Sequence, residues 1–428
     1  MDMDRYNAPV IQPPATFPDL HGEHRILPNG QSALWVVRGG REPVFRLEWL
    51  FPKGEAAFGH PVLPGITMSL LGEGVEHRTA QEVHFALESM GARLERQSSR
   101  DYVSVAVSGL TQHLPALLPL MDELVWSSVF PEKEIERVVE QEMTGFRIQQ
   151  KQVDWQARTA ARKELFKGHA YGIQAGEKDF EGIHRAVVVD TAQTLMQSVA
   201  PDFLLSGGLD EDDIQLVQSH LRATSQTRYE TDTRVVANTT PGRIFVPVEG
   251  ALQSAVVMGV KAPSRQSPDY AGFRFLTTLF GGYFGSRLMK NIREEKGYTY
   301  GIGAGVTDTR GGSFVFIQAE VGAEVTSATL DEIEHEMKRL RSEPVGAAEL
   351  DIVKNYLSGA YLRALDGPFR QTAKFRNAWL LGEDLSHDRY LVEKMMQTQP
   401  EDLIRLANLY LHSSQWITAV AGPSSVKI

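Results

Sequence analysis

Alternating and helical stretches follow one another along the chain in two similar series. Near the start, SALWVV (32–37) and VFRLEWLF (44–51) read as alternating strands, since a strand with one buried face has a period of two. A turn at Gly39-Gly40 separates them. AQEVHFALESMG (80–91) reads as a helix ending on Gly91, and glycine suits the left-handed residue that follows a helix. YVSVAVSGL (102–110) is again a strand. Further on, QSAVVMGV (253–260) predicts a strand and PDYAGFRFLTTLF (268–280) a helix with proline near its start. SRLMKNIREEKG (286–297) predicts a second helix, and SFVFIQAEV (313–321) a clear alternating strand. Grouped strands and grouped helices, without strict β-α-β alternation, predict α+β layers.

A long-period duplication organises these elements. Residues 122–143 resemble residues 335–356: each holds a helix end, a proline-containing loop and a new helix opened by acidic residues. Residues 186–213 resemble 396–425. There an acidic or polar cap (Asp190; Glu401) starts a helix, and a short apolar strand ends in Ser206-Gly207 or Ala421-Gly422. The offsets lie near half the chain length, so two similar domains are expected, each a mostly antiparallel mixed sheet packed with helices. The division is 1–225, a polar, Thr-rich linker at 226–243, and 244–428.

Composition narrows the chemistry. The 428 residues hold 44 Lys plus Arg against 54 Asp plus Glu, a formal charge of −10. That balance argues against a nucleic-acid or anionic-membrane binder. With no cysteine, disulfides, thiolate metal sites and a cysteine nucleophile are excluded, and any metal must sit on His, Asp or Glu. The first twenty residues are acidic and proline-rich, unlike a secretory signal, and no apolar run reaches membrane-spanning length. A cytoplasmic location is the default; a periplasmic one stays open, because a chain trimmed of its leader would read the same. GxSxG and Walker-type phosphate loops are absent. The glycines of GGYFG follow no strand of a β-α-β unit, as a dinucleotide site requires. GGLDEDD (207–213) lacks the spacing of a calcium loop and reads as a solvated turn.

The sharpest segment is LFGGYFGSRLMKNIREEKGYTYGIGA (279–304), where glycines join two packed helices and Lys296-Gly297 leads into a strand. It resembles the Arg/Tyr element in the C-terminal domain of pitrilysin/insulinase-type zinc peptidases, which include mitochondrial processing peptidase and bacterial relatives. In that family an arginine near a helix end precedes by seven residues a tyrosine on the next strand; here these are Arg293 and Tyr300. The resemblance implies that both reach across a clamshell, hold substrate backbone and stabilise the oxyanion, a role suited to guanidinium and phenol donors. Taken alone, the two residues also fit a surface arginine paired with Glu294 or Glu295 and a half-buried strand tyrosine.

The same resemblance calls for an inverted zinc motif, HxxEH, in the first domain, with a later Glu as third ligand. The aligned stretch PGITMSLLGEGVEHRTAQEV (64–83) places Met68, Leu71 and Gly72 at the His, Glu and His positions. VVEQEMTGFRI (138–148) places Thr144 at the third ligand, with Glu140 and Glu142 close by, and Glu95-Arg96 replaces the Asn-Ala pair of the substrate-pairing strand. Glu73, Glu76, His77, His84 and Glu88 crowd together, but His84 and Glu88 at i, i+4 alone lack a third ligand and read as a solvated helix contact.

The implied reading is half of a clamshell: the non-zinc subunit of a heterodimeric zinc endopeptidase. This chain holds no cofactor of its own, zinc resides in a homologous partner subunit, and Arg293 and Tyr300 complete the site for a peptide substrate. A homodimer in isolation stays open. The alternatives are a catalytically inactive peptidase-like scaffold or peptide-binding protein, and an independent metalloenzyme using the His77/His84 cluster.

Overall fold

The computed structural model describes residues 14, 16–28, 30–221 and 240–426. Strands of the first half are β1 (Glu23–Ile26), β2 (Ala33–Arg38), β3 (Val44–Phe51), β4 (Arg93–Ser98), β5 (Val103–Leu110) and β6 (Asp202–Gly207). Its main helices are α1 (Leu63–Ser69), α2 (Ala80–Ser89), α3 (Leu114–Trp126), α4 (Glu132–Gln149), α5 (Val153–Leu165), α6 (Arg185–Ala192) and α7 (Glu211–His220). The second half has strands β7 (Gly242–Pro247), β8 (Gln253–Lys261), β9 (Ile302–Thr309), β10 (Gly312–Gly322) and β11 (Ile417–Gly422). With them come helices α8 (Tyr270–Thr277), α9 (Thr326–Ser342), α10 (Ala347–Ala364), α11 (Pro368–Leu381), α12 (His387–Met396) and α13 (Pro400–Tyr410).

One topology is used twice. The first sheet runs β1-β2-β6-β3-β5-β4 and the second β9-β10-β8-β11-β7. Read from opposite ends, β2, β6, β3, β5 and β4 correspond to β7, β11, β8, β10 and β9. In each sheet one pair is parallel, β6 on β2 and β11 on β7, and the other pairs are antiparallel. The fold is α+β, with two similar units. The sequence duplications fall on equivalent pieces, α3–α4 with α9–α10, and α6–β6 with α13–β11.

Three local expectations are corrected. Asp190 does not open a helix: α6 starts at Arg185 behind His184, and Asp190 lies inside it. The cap of α13 is Gln399, not Glu401; the Asp402 carboxylate accepts the Gln399 backbone N–H at 3.1 Å. The acidic run 210–213 is no free turn, because Asp210 caps α7 and accepts the Asp213 N–H at 2.8 Å. Carboxylates at a helix N-terminus satisfy N–H groups that have no partner within the helix. Residues 222–239, most of the expected linker, lie outside the described residues, and Gly242 and Arg243 begin β7.

Strand parity decides how the sheets are covered. Along β3, Phe45, Leu47, Trp49 and Phe51 enter the main core of the first half, while Leu50 joins Val37 and Leu204 on the opposite face. That face is covered by α11, through Phe375 and Trp379, so its lid comes from the second half. Reciprocally, α5 of the first half lies on the second sheet. There Ala157 and Ala161 meet Ala255, Val257, Ala419 and Ala421. Small side chains on both surfaces allow the close approach. A Cβ on Gly259 of β8 would stand 2.9 Å from the Phe316 ring and 3.5 Å from Leu165 of α5.

Polar contacts fix the exchange. Glu48 on β3 is fully buried under α11, and Arg376 Nη2 reaches its Oε2 at 2.7 Å. Trp379 Nε1 donates to Asp202 Oδ2 at 2.7 Å. Arg310, in the β9–β10 turn, donates from Nη1 to the carbonyls of Pro52 (2.6 Å) and Asp101 (3.1 Å). Removing one member of a buried ion pair leaves an uncompensated charge, at a cost of about 3–5 kcal/mol. Arg46 stays 3.8 Å from Glu48, so Arg376→Met is expected to lower stability by the lower end of that range, about 3 kcal/mol, in denaturant melts, with Glu48→Gln added to it recovering part of the loss.

Candidate active-site element

The segment expected as two ordinary helices is wound differently. Helix α8 ends at Thr277 and widens into a π-helical turn over Thr278–Gly282, and a second π-helical turn spans Met289–Glu295. It closes with Lys296 N donating to Asn291 O (2.9 Å) and Tyr298 N to Ile292 O (3.0 Å). Side-chain anchors favour this winding. Asn291 Nδ2 donates to Glu332 Oε2 (3.0 Å) and Glu336 Oε1 (2.9 Å) on α9, and Lys296 Nζ pairs with Glu332 at 3.0 Å. Widened turns of this kind are frequent at functional sites. The glycines act by proximity: a Cβ on Gly281 would stand 2.6 Å from the Ala304 nitrogen of β9. Gly297 takes φ +68°, a conformation open to glycine and strained for most other residues.

Arg293 sits on the second π turn. Its guanidinium lies 4.4 Å from the centroid of the Phe284 ring. No ion pair with Glu294 or Glu295 forms, and no hydrogen bond from its N–H groups reaches another described residue. Tyr300 is not on the next strand as expected; it stands two residues before β9, in the loop after Gly297. Its side chain is 94% exposed, so it is not the half-buried strand tyrosine of the alternative reading. Arg293 and Tyr300 make no direct hydrogen bond or ring contact with each other. Tyr300 borders a cavity of about 430 Å³ that spans the two halves, between the start of α5 (Asp154, Arg158) and the β8–β10 face (Gln253, Gln318, Glu320). The Tyr300 phenol and the Arg158 guanidinium give this cavity hydrogen-bond donors beside two carboxylates.

At the other candidate locus the backbone forbids the expected motif. A motif of two histidines and an intervening acid on one helix face needs a continuous helix over residues 68–72. Helix α1 stops at Ser69 instead, and Gly72 has φ +98°. Met68 and Leu71 are each 1% exposed and belong to the apolar core. Arg96 of β4 reaches over the helix end, its Nη1 donating to the carbonyls of Leu71 (2.5 Å) and Ser69 (3.2 Å). Burial of the head group pulls its pKa down and the Glu73 carboxylate opposes this, but an arginine stays charged. Glu73 itself pairs with Arg137 at 2.9 Å. Thr144, Glu140 and Glu142 are exposed on α4, and Glu76, His77, His84 and Glu88 are exposed as well. Among the described residues no group of three or more His, Asp or Glu is placed to hold a metal ion.

Comparison with known proteins bears on both loci. A model described as the insulinase family, peptidase family M16, matches residues 68–170. A second, described as the peptidase M16 inactive domain, matches residues 183–357. The chain belongs to the insulinase (M16) family. An uncharacterized zinc protease of Rickettsia bellii is 22% identical over 360 residues, 83% of this chain and 86% of that protein. Cytochrome b-c1 complex subunit 1 of Mus musculus is 27% identical over 226 residues, covering 49% of this chain and 45% of that subunit. A solved peptidase M16 inactive domain from Pseudomonas fluorescens superposes with a TM-score of 0.81 at 21% identity, over 95% of this chain and 99% of that one; at that identity the match speaks for the fold.

The M16 family name implies zinc, and the residues here do not fit it. Two of the motif positions are apolar core, the third is a glycine at a positive φ that strains other residues, and a fixed cation lies against the carbonyls beside them. Metal analysis of the purified chain is expected to find well below one zinc per chain. Writing His, Glu and His into positions 68, 71 and 72 is expected to leave that value unchanged, because the helix does not extend over them.

Proposed function

We propose that this M16 chain is the non-zinc subunit of a heterodimeric zinc endopeptidase, in which Arg293 and Tyr300 serve the active site of a homologous partner subunit. The observation that supports it most is the state of these two side chains. Arg293 is held by a braced π turn yet spends no guanidinium N–H on another described residue, and Tyr300 is almost wholly in solvent. Neither contributes much to stability where it stands, and both are hydrogen-bond donors. In the assembled enzyme the substrate enters as an extended peptide, adding to an exposed sheet edge. The guanidinium holds a backbone carbonyl, and the phenol donates to the oxygen on which negative charge develops. The metal chemistry belongs to the partner. The acidic net charge favours basic peptides.

A second reading, a catalytically silent peptidase-like scaffold, is favoured by the match of residues 183–357 to a model described as an inactive domain and by the likeness of half the chain to a cytochrome b-c1 complex subunit. Co-purification with a similar-length homologue bearing an intact HxxEH, followed by a peptide-cleavage assay, separates the two. In that heterodimer Tyr300→Phe is expected to lower kcat about 10²-fold, the scale of losing one oxyanion donor, with assembly unchanged by size-exclusion chromatography. Full activity in the Tyr300→Phe enzyme sinks the catalytic role and leaves the scaffold reading.

A further inference from the structure

Residues 283–288 join the two π turns, and the loop Tyr283-Phe284-Gly285 at their start is built to leave one ring outside. Tyr283 packs its ring 5.1 Å from that of Tyr356 on α10, and the Tyr356 hydroxyl donates to the Gly282 carbonyl at 3.4 Å. Ser286 N closes the loop on Tyr283 O at 3.1 Å. Gly285 is required there, since a Cβ would stand 2.9 Å from the Tyr283 ring. With Tyr283 turned inward, Phe284 is left 65% exposed. What sets this exposed ring apart is its one ring contact among the described residues, the Arg293 guanidinium at 4.4 Å.

We infer that Phe284 is a positioning residue for Arg293, stacking under the guanidinium so that its N–H edge is presented to a substrate carbonyl. The inference rests on the proposed use of Arg293. A free arginine samples many rotamers and loses that freedom on binding a peptide. No carboxylate among the described residues holds this one, so none of their hydrogen bonds has to be broken when substrate arrives. A ring beneath the guanidinium restricts it through cation–π attraction while leaving every in-plane donor free. An acidic neighbour would also fix the side chain, but would consume the donors the substrate needs. Phe284 therefore acts on substrate capture and orientation, and Asn291, through Glu332 and Glu336, fixes the backbone turn below it.

Two measurements test this. In the isolated chain, NMR of the Arg293 Nε–Hε group is expected to show a ring-current shift that disappears in Phe284→Leu and persists in Phe284→Tyr and Phe284→Trp. In the heterodimer with the HxxEH-bearing homologue, a fluorescence-quenched basic peptide is the probe. Phe284→Leu is expected to raise KM about two- to fivefold, the weight of an exposed cation–π pair, with kcat changed less, and Phe284→Trp to restore it. Because the ring is exposed, the thermal midpoint stays at the wild-type value. In the Arg293→Gln background, Phe284→Leu should add nothing. A defective Arg293→Gln enzyme with a normal Phe284→Leu enzyme overturns this inference and leaves the proposed function standing. A silent Arg293→Gln overturns both.

Discussion

Each sheet in this chain has two apolar faces, and the fold closes only because each half lends the other a helix. The first sheet buries one face on its own helices and presents Val37, Leu50 and Leu204 on the other, where α11 covers them. The second sheet is covered by α5, alanine against alanine. The close approach of α5 makes use of small residues, and larger ones would force the helix away at about 1–3 kcal/mol each. Glu48 shows how far the arrangement is committed, since a fully buried carboxylate on a strand draws its close cation, Arg376, from the other half, with Arg46 of its own strand farther off at 3.8 Å. Everything at the candidate site inherits this geometry. The cavity beside Tyr300 exists because the N-terminal turn of α5 stands over β8 and β10.

The two copies of the topology have diverged in opposite directions. In the first, the locus matched to a metal motif has become core: Met68 and Leu71 are packed, and Arg96 satisfies the carbonyls at the end of α1. That is a stable solution in its own right, with an apolar interior, a capped helix end and a glycine where the chain must turn. In the second copy, the Arg/Tyr segment is held by π turns and buried anchors yet exposes its functional-type side chains. A rigid base with free donors at its tip is what preorganised recognition of a peptide needs, and it contributes little to the fold.

Much of this could be read along the chain. VFRLEWLF gave a strand with the boundaries observed, because alternation is a local consequence of the pleat. The duplication was visible as helix–proline–helix and helix–strand pieces, and these pieces landed on equivalent elements. The losses were local as well. Asp190 has the composition of a cap but sits inside α6, and the Asp210 run reads as a turn but caps α7. The same residue types serve turns, caps and helix surfaces, and the choice depends on where the neighbouring apolar face must go.

By itself the sequence determined the α+β character and the twofold repeat, which follow from residue type and spacing; a family resemblance then singled out Arg293 and Tyr300 and the lack of HxxEH in the matched stretch. Only the tertiary structure decided that α5 and α11 cross between halves, since both are amphipathic helices whose partners lie in the other half of the chain. It also decided that Arg293 rests on Phe284 and not on Glu294 or Glu295, and that Tyr300 lies before the strand rather than on it. The physical reason is the π winding over Met289–Glu295. It turns the side chains away from the directions an ordinary helix would give, and it is stabilised by contacts from Asn291 to α9 that no local pattern encodes.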